Sequence, residues 1–168
     1  MSIPRTQRAV QLVGPGELRL NEAKPVPEPG PYQVLARVES CGLCYSDLKL
    51  LKQFSGHPRK GEIASGLDKS ILKEISSYVP GTHPAVPGHE AVVRIVATGD
   101  KAKGCRVGDR RLVQTDYRWL PNAESNASFG YNFEGGLQEY VLMDERVIMD
   151  KSGQRFLIPV PEDLSASA

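Results

Sequence analysis

Two short motifs, Cys44-Tyr45-Ser46-Asp47 and Gly88-His89-Glu90, place a thiol, an imidazole, a hydroxyl and two carboxylates in a chain of 168 residues. A thiolate and a neutral imidazole are good Zn²⁺ ligands. Catalytic zinc is normally held by three protein groups, with a fourth position left for water or substrate. Cys44 and His89 are the expected ligands here, and the third is missing. A carboxylate beside a ligand imidazole fixes its tautomer and ring orientation, and Asp47, three residues after Cys44, is placed to do this. A lone cysteine is more often a small buried hydrophobe, and a lone histidine more often a satisfied core residue, but neither stands alone in these motifs. Cys41 makes a C-x-x-C string with Cys44 that would suit redox chemistry or a paired-cysteine metal site, yet no second C-x-x-C supports it.

These residues must be positioned by the elements around them. Arg8 to Val13 and Glu17 to Glu22 flank Pro15-Gly16 and predict an opening hairpin. Pro25, Pro27, Pro29 and Pro31 make a stiff connector. Val34, Ala36 and Val38 then alternate with Leu35, Arg37 and Glu39 as in a strand. Cys41-Gly42 ends that strand, and Leu43 to Lys52 is expected to be helical, so Cys44 should sit at a strand-to-helix corner. Further strands are expected at Ala91 to Thr98, Arg110 to Gln114, Leu137 to Met143 and Phe156 to Val160. Leu67, Ile71, Leu72, Ile75 and Tyr78 recur at helical spacing and predict an amphipathic helix over Asp68 to Tyr78. Asn122 to Ser128 and Gly130 to Glu134 are expected to be loop. The fold class is mainly β with short helices, and many short strands with Gly-rich turns suggest a barrel or sandwich.

The length suits one domain with a real core. Lys and Arg number 21 against 20 Asp and Glu, so no charge field points to nucleic acid or a membrane surface, and a small-molecule partner is expected. No apolar run reaches the ~20 residues of a membrane span, and Met1 to Val13 lacks a signal-peptide core. The three cysteines are too few and too odd for a disulfide framework, which fits a reducing, cytoplasmic location.

VLARVESCGLCYSD (Val34 to Asp47), VPGHE (Val86 to Glu90), VGDR (Val107 to Arg110) and GGLQEYVL (Gly135 to Leu142) stand in the order found in zinc-containing medium-chain alcohol and polyol dehydrogenases. From about Arg8 to Leu164 the chain resembles their amino-terminal GroES-like catalytic domain. The resemblance implies a partly open β-barrel with one inserted helix near 68–78, a domain over 1–164, and in 165–168 the start of a link to a Rossmann domain. It implies catalytic zinc on Cys44 and His89, with Glu90 able to bind the metal transiently. Ser46 is implied as the proton relay and Asp47 as the carboxylate behind the ligands. The implied reaction is hydride transfer between an alcohol (a polyol, sugar or sugar phosphate) and NAD or NADP. No G-x-G-x-x-G occurs here, so no residue is assigned to the dinucleotide and NAD(P) is expected only in a full-length parent. Pro161-Glu162-Asp163-Leu164-Ser165 resembles the segment that leads to the third ligand. The expectation is therefore a catalytic-domain fragment, inactive by itself and prone to self-association, of a homo-oligomeric parent.

Several residues depart from the family pattern. Val93 stands where the family usually has glycine, and the motif cysteine and histidine are about twice as far apart as usual, through an excess at Gly56 to Pro84. No four-cysteine cluster is present, so structural zinc is not expected. Tyr117, Trp119, Phe129, Tyr131 and Phe133 are expected to pack the loop that replaces that lobe, or to line a substrate wall. His57, Arg59 and Lys60 can be read as a phosphate group or as solvated loop charges, and the latter is the expectation. His83 is expected in a loop and Cys41 in the site wall. The competing readings are a zinc-free quinone or enone reductase of the same superfamily and a GroES-like interaction module. Neither needs Cys44, Asp47, His89 and Glu90 together.

Overall fold

The computed structural model describes residues 2–116, 125–149 and 156–167, so the expected packing roles of Tyr117 and Trp119 fall outside the described residues. Its two antiparallel sheets do not close on each other, and the architecture is a partly open barrel. Strands β1 (Thr6–Gly14) and β2 (Glu17–Pro25) form the opening hairpin. Gly16 turns it at φ 72°, a left-handed conformation that glycine adopts without a Cβ penalty. The second sheet runs β6-β3-β4-β5-β7, with β3 Gln33–Gly42, β4 Glu90–Thr98, β5 Arg110–Val113, β6 Tyr140–Asp144 and β7 Leu157–Pro159.

Period-2 alternation gives this sheet one apolar face, and Val34, Ala36, Val93, Ile95, Val141 and Met143 meet in the core. Val93 is fully buried and pairs with Val38 and Arg111, so the valine that departs from the family pattern fills core space. A second, smaller core joins Leu12, Leu50, Phe54 and Tyr131 beneath the hairpin. Leu112 and Ile158, paired across β5 and β7, are exposed.

Leu137 to Glu139 lies ahead of β6 and bonds both β1, through Val10 N to Leu137 O at 2.9 Å, and β3, through Val38 N to Glu139 O at 2.9 Å, which clamps the hairpin to the larger sheet. The inserted helix is present but shorter than the periodicity predicts. Helix α2 spans Lys69–Lys73, capped by the Asp68 carboxylate on Ser70 N, and passes into i to i+3 turns at Ile75 and Tyr78. β-Branched Ile75 and the serines after it are weak helix formers. The same three-residue spacing still turns Leu72 and Ile75 into the core. Helix α3 (Glu145–Ile148) carries no clear periodic signal and starts at the Asp144 cap. Among the described residues no helix is long and apolar enough to cross a membrane.

Candidate metal centre

The last rung of the β3–β4 ladder pairs Gly42 with Glu90. Cys44 follows that rung by two residues and His89 precedes it by one, so both arrive at the same end of the sheet although they are 45 positions apart. Cys44 is the N-cap of helix α1 (Tyr45–Gln53), at the strand-to-helix corner that the sequence predicts. Cys44, Asp47 and His89 each offer a ligand atom within 4.8 Å of the others.

Asp47 organises the group. One carboxylate oxygen accepts from His89 Nδ1 at 2.7 Å and from Gly88 N at 2.8 Å, and the other accepts from Cys44 N at 2.9 Å. Burial alone would raise its pKa, but the His89 and backbone hydrogen bonds together hold it below the ordinary aspartate value. With both oxygens engaged, Asp47 acts as the carboxylate that orients the other two. Its bond to Nδ1 fixes the proton there and leaves Nε2 with a free lone pair. Nε2 is buried and has no hydrogen-bond partner among the described residues. An unpaired buried polar atom is costly unless something else satisfies it, and beside the Cys44 thiol a metal ion fits the donor set.

The backbone leaves room for such an ion. Gly130, at φ 79°, lies over the imidazole edge, and a Cβ there would come 3.0 Å from His89 Cδ2 and 3.2 Å from Nε2. Gly88, at φ 100°, is crowded by Cys41 Sγ and the Leu137 backbone, so that no side chain could stand there. Thr115 Oγ1 donates to His89 O at 2.8 Å and secures the main chain there.

The remaining sequence-predicted residues are placed unequally. Ser46 is half-buried in the first turn of α1. Glu90 opens β4 with an exposed side chain whose carboxylate lies against Gly42, outside the group of three. Cys41 is half-buried in the wall, its thiol pushed up to about 12 by burial and by the Asp47 charge; Cys41 and Cys44 are free thiols. His83 is an exposed loop residue whose ring contacts Pro80 O. Leu43, Tyr45 and Leu48 form an exposed apolar rim around Cys44.

The expectation of solvated charges at 57–60 is corrected. Lys60 is fully buried, its ammonium donating to Val79 O and to His83 O. Burial lowers its pKa to about 8, against a pull upward from Glu134. Arg59 is paired with Asp116. His57 stacks on Tyr131, whose other ring neighbour is His89. Charge-rich composition hid these roles, because only the fold shows that the Lys60 ammonium lies over the Phe54 ring and donates to two carbonyls.

A family model described as the alcohol dehydrogenase GroES-like domain matches residues 30–153. An NAD-dependent alcohol dehydrogenase of Saccharolobus solfataricus is 30% identical over 165 residues, covering 86% of this chain and 40% of that protein. Sorbitol dehydrogenase of Ovis aries is 36% identical over 101 residues, 60% of this chain and 22% of that protein. The structure of acetophenone reductase from Geotrichum candidum in complex with NAD superposes with a TM-score of 0.64 at 25% identity, over 99% of this chain and 43% of the other. The chain thus spans about two fifths of the length of its full-length relatives.

Proposed function

The chain belongs to the alcohol dehydrogenase GroES-like domain family, and from that premise we propose that it is the catalytic domain of a zinc-dependent oxidoreductase that moves hydride between an alcohol and NAD or NADP. The observation that carries this reading is the buried His89 Nε2, unpartnered among the described residues, beside the Cys44 thiol. Cys44 and His89 would hold the metal, and Glu90, next in the chain after His89, is the further carboxylate of the motif. Zinc bound there supplies Lewis-acid polarisation of the alcohol oxygen. Asp47 keeps the His89 proton on Nδ1 and ties the Cys44 and Gly88 backbones to one point. The Ser46 hydroxyl, one residue before Asp47, takes the substrate proton toward solvent.

The substrate class is a neutral alcohol or polyol. Arg59 is already paired with Asp116, and the buried Lys60 ammonium is already bonded to two backbone carbonyls, which argues against a phosphate site at this loop. The sorbitol dehydrogenase relative acts on a polyol by name, which supports the same class. The dinucleotide site belongs to chain beyond these residues, so residues 1–168 alone transfer no hydride. The exposed Leu112 and Ile158 favour self-association of this piece.

Metal analysis decides the reading. With the third ligand missing, residues 1–168 purified in zinc are expected to hold the metal weakly or only in part and to lose even that in both Cys44→Ser and His89→Gln, and the full-length enzyme should lose zinc and alcohol-dependent NAD(P) reduction with the same substitutions. Wild-type zinc content and turnover in Cys44→Ser would favour the zinc-free reductase reading instead.

A further inference from the structure

His89 is fixed along one direction only by Asp47. A single hydrogen bond at Nδ1 sets the in-plane position of an imidazole but leaves the ring free to tilt about that contact, and a tilt moves Nε2 away from the Cys44 thiol. The second constraint is aromatic. The Tyr131 ring lies 4.2 Å from the His89 ring, centroid to centroid, at an interplanar angle of 60°, a close tilted contact between the two rings.

Tyr131 is itself held on several sides. Its hydroxyl donates to Ser46 O on helix α1 at 3.4 Å. His57 stacks on it at 4.6 Å and 28°, and the Arg59 guanidinium lies 5.8 Å from its centroid. His57 is in turn fixed by Arg59 N, which donates to its Nδ1 at 3.2 Å. Tyr131 is 2% exposed and is packed with Leu12, Leu50 and Phe54 in the second core. That small core therefore ends in a ring pressed on the candidate ligand, and the turn at 57–60 ends in a ring pressed on Tyr131.

We infer that Tyr131 is a positioning residue of the metal centre, and that the His57 turn of the inserted segment is there to hold it: the stack His57, Tyr131, His89 fixes the tilt of the imidazole as Asp47 fixes its tautomer. This rests on the reading above in that His89 is the ligand being oriented. The geometry assigns the work to the ring more than to the hydroxyl, whose bond to Ser46 O is long.

The experiment uses residues 1–168 with ¹⁵N-labelled histidine. In the metal-free chain the His89 Nδ1 proton, sheltered and bonded to Asp47, is observed directly by NMR and assigned by its loss in His89→Gln. Cobalt(II) affinity is read in parallel from thiolate-to-cobalt absorbance, and the unfolding midpoint from circular dichroism. Tyr131→Phe should keep the proton signal and the cobalt affinity. Tyr131→Leu should shift or broaden the signal and weaken cobalt roughly tenfold, the low end for loss of a group that orients a ligand. His57→Ala, at a half-exposed position, should move both in the same direction by less, and it carries the test if Tyr131→Leu does not fold. A lowered unfolding midpoint with the His89 signal and cobalt affinity unchanged in these variants would overturn the inference, since that is the behaviour of a tyrosine that only packs. Failure of the wild-type chain to bind cobalt through Cys44 would remove the metal reading, while the proton signal still decides the role of Tyr131.

Discussion

At the scale of single residues, Asp47 is the group on which the site depends, because three donors converge on its two oxygens. Asp47→Ala should weaken metal binding by roughly 10 to 100-fold, measured by competition with a chromogenic chelator, and wild-type affinity would show that the convergence is incidental. Gly130 tests the space beside His89. Gly130→Ala has to hold a non-glycine residue at φ 79°, at a cost of about 1–2 kcal/mol, and places a methyl 3.2 Å from Nε2. Loss of both stability and metal binding is expected, from urea titration and metal analysis of the same sample. Cys44, Asp47 and His89 were legible in the sequence because each lies in a short motif whose neighbours share the chemistry. The position of Tyr131 on His89 was not, since it depends on a contact across 42 positions of chain that no local spacing encodes. Lys60 was misread for a related reason: the sequence shows a charge in a polar run but not the two carbonyls that accept from it.

At the scale of elements, strand periodicity and turn residues predicted nearly every strand of the sheet that presents the site. The β3–β4 pairing was implicit in the two motifs that flank it. Boundaries were less legible where tertiary contacts overrule propensity, as at Leu137 to Glu139, which β1 captures, and at Ile75 to Tyr78, where core packing and the Tyr78–Phe133 bridge replace helix. The inserted segment is tied down by Lys60, which links the turn at Pro58–Lys60 to the turn at 79–83. Lys60→Met keeps the apolar stem and leaves two carbonyls without their donor, so destabilisation of about 1–3 kcal/mol is expected. Chemical denaturation measures it, and an unchanged midpoint would mean that water replaces the ammonium.

At the scale of the whole molecule, the carboxylate of Glu39 holds the sheet to the carboxyl-terminal segment. It bonds Arg94 and Arg110 at 2.7 Å each, and Arg110 also donates to Pro161 O and Leu164 O. Burial opposes ionisation of Glu39, but the two guanidinium groups outweigh it and lower its pKa. A depressed folded-state pKa gives stability that is complete above the ordinary carboxylate value and is lost as pH falls through the folded value. Glu39→Gln should therefore lower stability at neutral pH and flatten its fall between about pH 5 and 3, read from unfolding midpoints across that range; parallel acid limbs for the two proteins would sink the assignment. The Gly42–Glu90 rung has a separate consequence in polymer terms. The distance between Cys44 and His89 is set by a strand pairing and not by the 45 positions of chain between them. Closing that loop costs entropy that grows only with the logarithm of its length, so doubling it adds just ~0.6 kcal/mol. The bend at Gly66, which is exposed, can therefore lengthen or shorten over generations at little thermodynamic expense, and divergence in this protein's lineage should accumulate there first.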